Sequence, residues 1–515
     1  MSDPQPVTAG LFAMLQSLMP PVAAYNAVAM IILFCNGLAA GWLASTLRCN
    51  RPAMVTTILL AVWLPFVASE IGVLQMAIVA PVIATLGWLI RFHHTTQPMD
   101  AAKVGVGISI CYLTSGYWGL WLALLCLASG VLLIRAGHFR RGPLIGTATA
   151  IGIVAVSCGP FVYYQQKFVG DYHWDEKYID SLSAGVADYL RVGEASVAGK
   201  MPWTIDAGEW PIRLYPGALL LIATVIAVGC LLKETRDASS PLSRRWLFVM
   251  LLAIQVALVL SFGRIEVLGD GSPMNVLQKL VPGLDKLRSP YRLGMFVSVL
   301  MLPLAAIGID RLWGWSPKLA SVVLLLGVAE ITPWGGFAAG PTDVAESLET
   351  SPAWCAAVIE QVASPEANKI PRAVRRDERI VLLPMAAGAS ENAESGYEFV
   401  CRAMLLQRFH GVPMVGGYSG FFPPEVKALE SVTEGFPNGP SAMALLKSGV
   451  TLLAVDRERM SPQKFQDMGR LPKLLQRVFV DEKAGLLVYR FTDEALRSTQ
   501  SAGASSDADQ PERRP

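Results

Sequence analysis

Two arginines, Arg288 and Arg292, stand four residues apart in the stretch Pro282-Gly-Leu-Asp-Lys-Leu-Arg-Ser-Pro-Tyr-Arg, just ahead of a long apolar run. If a helix starts near Pro290, the two guanidinium groups point toward one side. Paired guanidinium groups hold a phosphate or pyrophosphate with bidentate hydrogen bonds. Tyr291 lies between them, and Arg213 stands just before another apolar run. The plainer role for such arginines is contact with lipid headgroups or an ion pair with Asp285.

Acids supply the other half of a reaction. Glu70 closes the apolar stretch Phe66-Val-Ala-Ser-Glu. A carboxylate at membrane depth is a functional candidate by default, although a helix-end residue in the headgroup zone would look the same. Residues 164–214 form the longest loop between apolar runs. It holds Asp171, His173, Trp174, Asp175, Glu176 and Asp180, then Ser183 to Leu190. Such a mixture would bind a sugar or a metal-bound phosphate, or would be a solvated loop whose Trp and Tyr anchor at the membrane interface. Glu70, Asp171, Asp175 and Glu176 are therefore the candidate general bases. Glu330 poses the same question near the end of the last apolar run. Further on, Gly416-Gly-Tyr418-Ser-Gly-Phe-Phe is a Gly- and aromatic-rich loop that would stack on sugar rings or serve as a plain turn. No HExxH, GxSxG or Walker motif occurs in the sequence. Without a metal-ligand motif no cofactor is assigned, and a divalent metal stays admissible.

The elements that position these residues are hydrophobic helices. Of the chain, 53% is hydrophobic and 16% charged, against about 25% charged in soluble domains. The deficit lies in the first two-thirds. A spanning helix needs about 20 mostly apolar residues. The runs 22–46, 52–68, 72–91, 117–135, 143–163, 215–233, 245–262 and 291–312 meet or approach that length, and 318–334 is acceptable. A shorter run, 103–115, joins its neighbour through a Thr-Ser-Gly turn and predicts a helical hairpin. The expected fold is a polytopic α-helical membrane domain of about nine or ten helices followed by a small extracytoplasmic α/β domain. The segments are residues 1–21, lying along the outer face; 22–336, the membrane domain; 337–494, the α/β domain; and 495–515, a tail with almost nothing to bury.

Basic residues orient this domain. Arg48 and Arg51, Arg91 and Lys103, Arg135 with Arg140 and Arg141, Lys233 to Arg245, and Arg311 with Lys318 all fall on one side if the helices alternate. That side is the cytoplasm by the positive-inside rule. The N-terminus, loops 164–214 and 263–290, and the C-terminal domain then lie outside. His93, His94 and His138 flank helix ends on the basic side and read as interfacial residues rather than ligands. There is no dense basic stripe interleaved with aromatics, so nucleic-acid binding has no support; the expected surroundings are membrane lipid.

In the C-terminal domain, strands are predicted at 379–384, 450–456, 477–480 and 485–491, about four in all, with short helices at 425–432 and 441–448 and helical periodicity over 397–408. Cys355 and Cys401 would pair if the compartment is oxidising.

Taken in order, four stretches resemble bacterial multi-pass proteins of the GT-C superfamily, the glycosyltransferases that use polyprenyl-phosphate sugars. They are Ala24-Tyr-Asn-Ala; Ser183-Ala-Gly-Val-Ala-Asp-Tyr-Leu with Glu209 and Tyr215-Pro-Gly-Ala; Pro282-Gly with Arg288-Ser-Pro-Tyr-Arg; and His410-Gly-Val-Pro-Met-Val-Gly-Gly-Tyr-Ser-Gly. The resemblance implies a bacterial cytoplasmic-membrane protein acting on its extracytoplasmic face. It implies a base that deprotonates an acceptor hydroxyl while arginines hold the departing lipid phosphate. Candidate binding residues are Arg213, Arg288, Tyr291, Arg292, His410 and Tyr418. It also implies a departure. Such enzymes usually begin with one more helix and a loop bearing the catalytic aspartate, so the chain reads as a version without them. The competing expectation is a non-catalytic scaffold or polymer-export partner that keeps the fold without the chemistry. A transporter fits less well, since there is no internal repeat and the helix cores carry few charges.

Overall fold

The computed structural model describes residues 6–169, 176–192, 196–206, 212–233, 243–280, 284, 289–332, 379–383, 412–415, 424–457, 460–468, 473–481, 485–492 and 494–495. The chain divides into two compact units, residues 3–339 and residues 340–515 with the first two residues.

The first unit is helical. Its helices are α1 (Pro6–Gln16), α2 (Pro21–Thr46), α3 (Arg51–Val62), α4 (Pro65–Ser69), α5 (Leu74–Ala77), α6 (Ala80–Thr95), α7 (Pro98–Thr114), α8 (Gly116–Leu132), α9 (Arg141–Val169), α10 (Glu176–Ser181), α11 (Ala218–Lys233), α12 (Arg244–Ser261), α13 (Pro273–Leu280), α14 (Arg292–Trp315) and α15 (Pro317–Ile331). Among the described residues six spans are long and apolar enough to cross a membrane: Val22–Thr46, Arg51–Ser69, Leu74–Thr95, Arg141–Lys167, Arg244–Ser261 and Arg292–Trp315. Helices α1, α8 and α11 are apolar but shorter.

Two predicted spans are interrupted. Pro65 and Pro81 each sit in the first turn of a new helix, where a missing N–H costs nothing. The second break falls at Ile78–Val79 and leaves polar backbone inside the bundle. Asn36, buried in α2, satisfies it. Its amide donates to the Ala77 carbonyl at 2.9 Å, and its oxygen accepts the Val79 and Ala80 N–H groups at 3.0 and 2.8 Å. The hairpin predicted around 103–135 forms, with Ser115 ending α7 and opening α8. Its first arm starts earlier than expected, at Pro98, right after Thr96 adopts a left-handed conformation.

Helix α14 is the axis of the bundle, with 94% of its apolar stretch buried, against 11% for α9. Gly308 permits this: a Cβ there would lie 1.8 Å from the Ala223 carbonyl oxygen of α11. Glu330 proves to be an architectural carboxylate. Buried near the end of α15, it accepts the Ala218 N–H at the start of α11 through both oxygens and the Tyr215 hydroxyl at 2.5 Å. It thus meets the positive end of that helix. The three histidines differ in burial. His93 and His138 are buried, their rings 5.0 Å apart and flanked by Phe92 and Trp246, while His94 is exposed.

The described part of the second unit is a five-stranded mixed sheet, one strand more than predicted. The strands are β3 (Arg379–Leu383), β4 (Met414–Val415), β5 (Val450–Asp456), β6 (Leu475–Asp481) and β7 (Leu486–Phe491), in the order β4-β3-β5-β7-β6. Strands β4, β3 and β5 run parallel, and β7 is antiparallel to both β5 and β6. (The two-residue β1, Arg191–Val192, and β2, Ile205–Asp206, pair within the helical unit.) The extra strand β4 is two residues long, too short to carry an alternating pattern. Helices α16 (Pro424–Glu434) and α17 (Gly439–Lys447) lie where predicted, and α18 (Pro462–Met468) is additional. Strand β5 is apolar almost throughout and buried, as a central strand covered on both faces should be. The predicted helix 397–408 and the cysteines Cys355 and Cys401 lie outside the described residues.

Candidate functional site

Glu70 caps α4 at the tip of the α3–α6 hairpin, and three contacts hold that tip. The Tyr25 hydroxyl donates to the Gly72 carbonyl at 2.7 Å, and the Val73 N–H donates to the Glu70 carbonyl at 2.7 Å. The indole of Trp118, at the start of α8, donates to the Gln75 carbonyl at 3.1 Å. Trp118 is 1% exposed and lies between Phe66 of α4 and Phe296 of α14, at ring distances of 6.4 and 5.9 Å. The carboxylate is therefore carried by a wedged aromatic stack, not by a loose loop.

Arg292 is the first residue of α14 and is buried. A cation at a helix N-terminus opposes the macrodipole, so local contacts must hold it. Its guanidinium carbon lies 4.7 Å from the centre of the Tyr117 ring and 5.9 Å from that of Tyr291, both within cation–π range. The Tyr117 hydroxyl accepts the Ser289 N–H at 3.1 Å, which fixes the chain entering α14. Arg213 is placed by its flanks: Ile212 and Leu214 are buried, and the Leu214 N–H donates to the Asp188 carbonyl at 3.0 Å.

Glu70, Arg213 and Arg292 act on one another. Burial pushes the half-buried Glu70 carboxyl above its ordinary value, and the charges of Arg292 and Arg213 pull it back down. Burial also raises the Tyr291 phenol, and the Glu70 charge adds to that rise. Among the described residues the cluster thus holds one carboxylate and two guanidinium groups. A carboxylate displaced toward neutrality is suited to taking a proton, and the excess positive charge is suited to an anion that develops beside it.

A cleft adjoins the cluster. It has a volume of about 440 Å³ and is lined by Asp180, Ser183, Asp188, Arg191, Phe262 and Arg264, with small residues between them. The Tyr291 N–H donates to the Leu182 carbonyl at 3.1 Å, and the Tyr189 hydroxyl pairs with Ser261 at 2.7 Å, so cleft and cluster share a wall.

Of the predicted site residues, the structure brings Glu70, Arg213, Tyr291 and Arg292 to one end of the bundle. Glu176 opens α10, and its side chain is not described. Asp171, Asp175, Arg288, His410 and Tyr418 lie outside the described residues. Sequence reasoning missed Tyr117, Trp118 and Arg191. Tyr117 marks the end of a helix hairpin in the sequence, and its partner Ser289 is far along the chain.

The fold and this arrangement define a multi-pass membrane protein. Among solved structures it is similar to the arabinofuranosyltransferase AftD from Mycobacteria, with a TM-score of 0.57 and 14% identity over 95% of this chain and 35% of AftD. A mutant form of the same enzyme matches with a TM-score of 0.54 and 14% identity over 93% and 36% of the two chains. The chain spans about a third of the length of AftD, and at that identity the likeness is one of fold. No protein-family model and no curated protein matches the sequence.

Proposed function

We propose that this protein is a membrane glycosyltransferase that moves a sugar from a polyprenyl-phosphate donor to an acceptor hydroxyl on the extracytoplasmic face of a bacterial cytoplasmic membrane. The observation that carries this reading is the convergence of Glu70, Arg213 and Arg292 in a bundle that shares the fold of AftD. The donor's sugar is a pentofuranose by analogy with AftD alone.

Glu70 takes the proton of the acceptor hydroxyl. The acceptor oxygen bonds to the anomeric carbon, the carbon–oxygen bond to phosphate breaks, and its electron pair stays on the phosphate. Arg213 and Arg292 meet that charge, with Arg292 held between Tyr117 and Tyr291. Arg288 is a further candidate for holding the phosphate, and Asp171, Asp175 and Glu176 are alternative candidate bases. The orientation rests on charge: Arg48, Arg51, Arg135, Arg140, Arg141, Arg311 and Lys318 flank the helix ends opposite Glu70, and that end faces the cytoplasm by the positive-inside rule.

The test is donor turnover by the full chain in detergent with radiolabelled polyprenyl-phosphate sugars, compared with Glu70→Gln. Loss of a general base lowers turnover by about 10²–10⁴-fold. Equal turnover by Glu70→Gln moves the base to Asp171, Asp175 or Glu176. No turnover with any donor leaves the non-catalytic membrane partner as the better account.

A further inference from the structure

The cleft beside the cluster has a different chemistry from the cluster itself. Asp188 is buried and already engaged. Its Oδ1 accepts from the Arg191 guanidinium at 2.7 Å, and its Oδ2 accepts the Gly185 N–H at 2.6 Å. The pair is held within one short turn, so both groups are fixed before any ligand arrives. Across the cleft, Phe262 ends α12 and Arg264 follows it. Gly263 between them has φ +63°, and a Cβ there would meet the Ser183 hydroxyl at 2.0 Å. The absence of a Cβ at Gly263 lets this left-handed turn bring Phe262 and Arg264 close to Ser183.

The described lining balances: Asp180 and Asp188 against Arg191 and Arg264. A balanced cleft gives no net pull on a phosphate or a cation. What it offers is acceptors and donors close together, one hydroxyl and one aromatic side chain. Carboxylates accept from hydroxyl groups, guanidinium groups donate to hydroxyl oxygens, and an aromatic ring covers an apolar C–H face. The class of molecule that presents hydroxyl groups around its rim and a C–H face at its centre is an uncharged sugar. The volume of about 440 Å³ sits near the small end of the usual range for ligand sites, about 300–1,000 Å³.

We infer that this cleft binds an uncharged sugar ring and, resting on the glycosyltransferase reading, that it is the acceptor subsite. The phosphate end of the donor would lie at Arg213 and Arg292, and the acceptor at Asp180, Asp188 and Arg264. The backbone bonds from Leu214 to Asp188 and from Tyr291 to Leu182 keep the two subsites in register.

The experiment is saturation-transfer NMR on the full chain in detergent, with methyl α-D-arabinofuranoside, methyl α-D-mannopyranoside and methyl α-D-glucopyranoside as probes and inorganic phosphate as competitor. The expected result is transfer to at least one glycoside and no displacement by phosphate. Asp180→Asn and Phe262→Leu should weaken it about tenfold or more, and Lys318→Gln, exposed at the opposite end of the bundle, should leave it unchanged. Thermal unfolding of each variant checks that it is folded. Absence of transfer to all three probes overturns the inference, and so does binding that phosphate displaces or that both cleft variants leave intact. The two readings fail separately. Donor hydrolysis without glycoside binding removes the acceptor subsite and keeps the enzyme, whereas glycoside binding without donor turnover does the reverse.

Discussion

Helices α9 and α14 read alike in the sequence. Their mean hydropathies are 1.8 and 2.0, and each is long enough to span a bilayer. The fold treats them differently. Helix α14 is enclosed by protein along almost its whole length. Helix α9 packs one stripe against α7, where a Cβ on Gly105 would lie 2.6 Å from the Ala150 Cα, and leaves Ile151 and Val156 open, at 65% and 77% exposed. Lipid is as apolar as leucine, so burial against protein gains little from the hydrophobic effect in a membrane. What separates the two helices is close packing, and small residues decide it. Helix α14 carries Ala305, Ala306 and Gly308 toward its neighbours, and its N-terminus carries Arg292.

The largest effect should come from filling the closest contact on α14. In Gly308→Val, the added carbons would meet the backbone of α11, which cannot move aside as a side chain can. Overpacking costs about 1–3 kcal/mol, and a backbone obstacle belongs at the upper end. Thermal unfolding in detergent, followed by size-exclusion chromatography, should show a large fall in the midpoint. Next comes Leu300→Ala, where a fully buried side chain of α14 is removed. Core truncations cost about 2–5 kcal/mol. The lower figure fits here, because only packing and not water exclusion is lost. A midpoint unchanged by Leu300→Ala would mean that α14 is not the tightly packed axis.

Charge at the ends of the two helices sharpens the same contrast. Arg292→Gln should lower donor turnover by about 10²–10³-fold, as removal of one preorganised electrostatic donor does. Lys167→Gln, at the exposed far end of α9, should leave turnover unchanged. The pH profile separates position from structure. A general base works when deprotonated, so the rate rises with pH through the pKa of Glu70. Burial raises that pKa and Arg292 lowers it. Without Arg292 it rises further, and the acidic limb should move to higher pH. An unmoved limb in Arg292→Gln would separate Arg292 from the Glu70 carboxylate.

Much of this arrangement can be read from residue type alone. Glu70, Arg213 and Arg292 stand out as charged groups beside apolar runs, and Tyr291 as the neighbour of one of them. The hairpin turn at Ser115 and the paired strands β6 and β7 carry local signals. Long-range contacts leave no such mark. Nothing near Asn36 in the chain says that it will close a helix break at Ile78–Val79, and nothing near Tyr117 says that it will lie under Arg292. The same limit explains Glu330, a candidate for chemistry in the sequence that the fold uses to meet the first turn of α11. It also explains His93 and His138, which sit at helix ends in the chain but are buried together. The interruptions at Pro65 and Pro81 were visible as prolines. Their consequence was not, since an apolar run counts toward a span whether or not it bends.

The smallest predicted effect tests the exposed side of the contrast. Val156 of α9 is 77% exposed, and in a bilayer that surface meets acyl chains. Val156→Ala removes carbons that touch no tightly packed neighbour, so its unfolding midpoint should stay within about 0.5 kcal/mol of the parent, the range of substitutions away from special contacts. Donor turnover should be unchanged as well. A loss comparable with that of Leu300→Ala would mean that this face is covered by protein and not by lipid, which chemical cross-linking through Val156→Cys would then detect as a bonded dimer. A neutral result in both assays places the stabilising contacts of α9 in its Gly105–Ala150 stripe alone and leaves α14 as the helix on which the bundle and its charged end both depend.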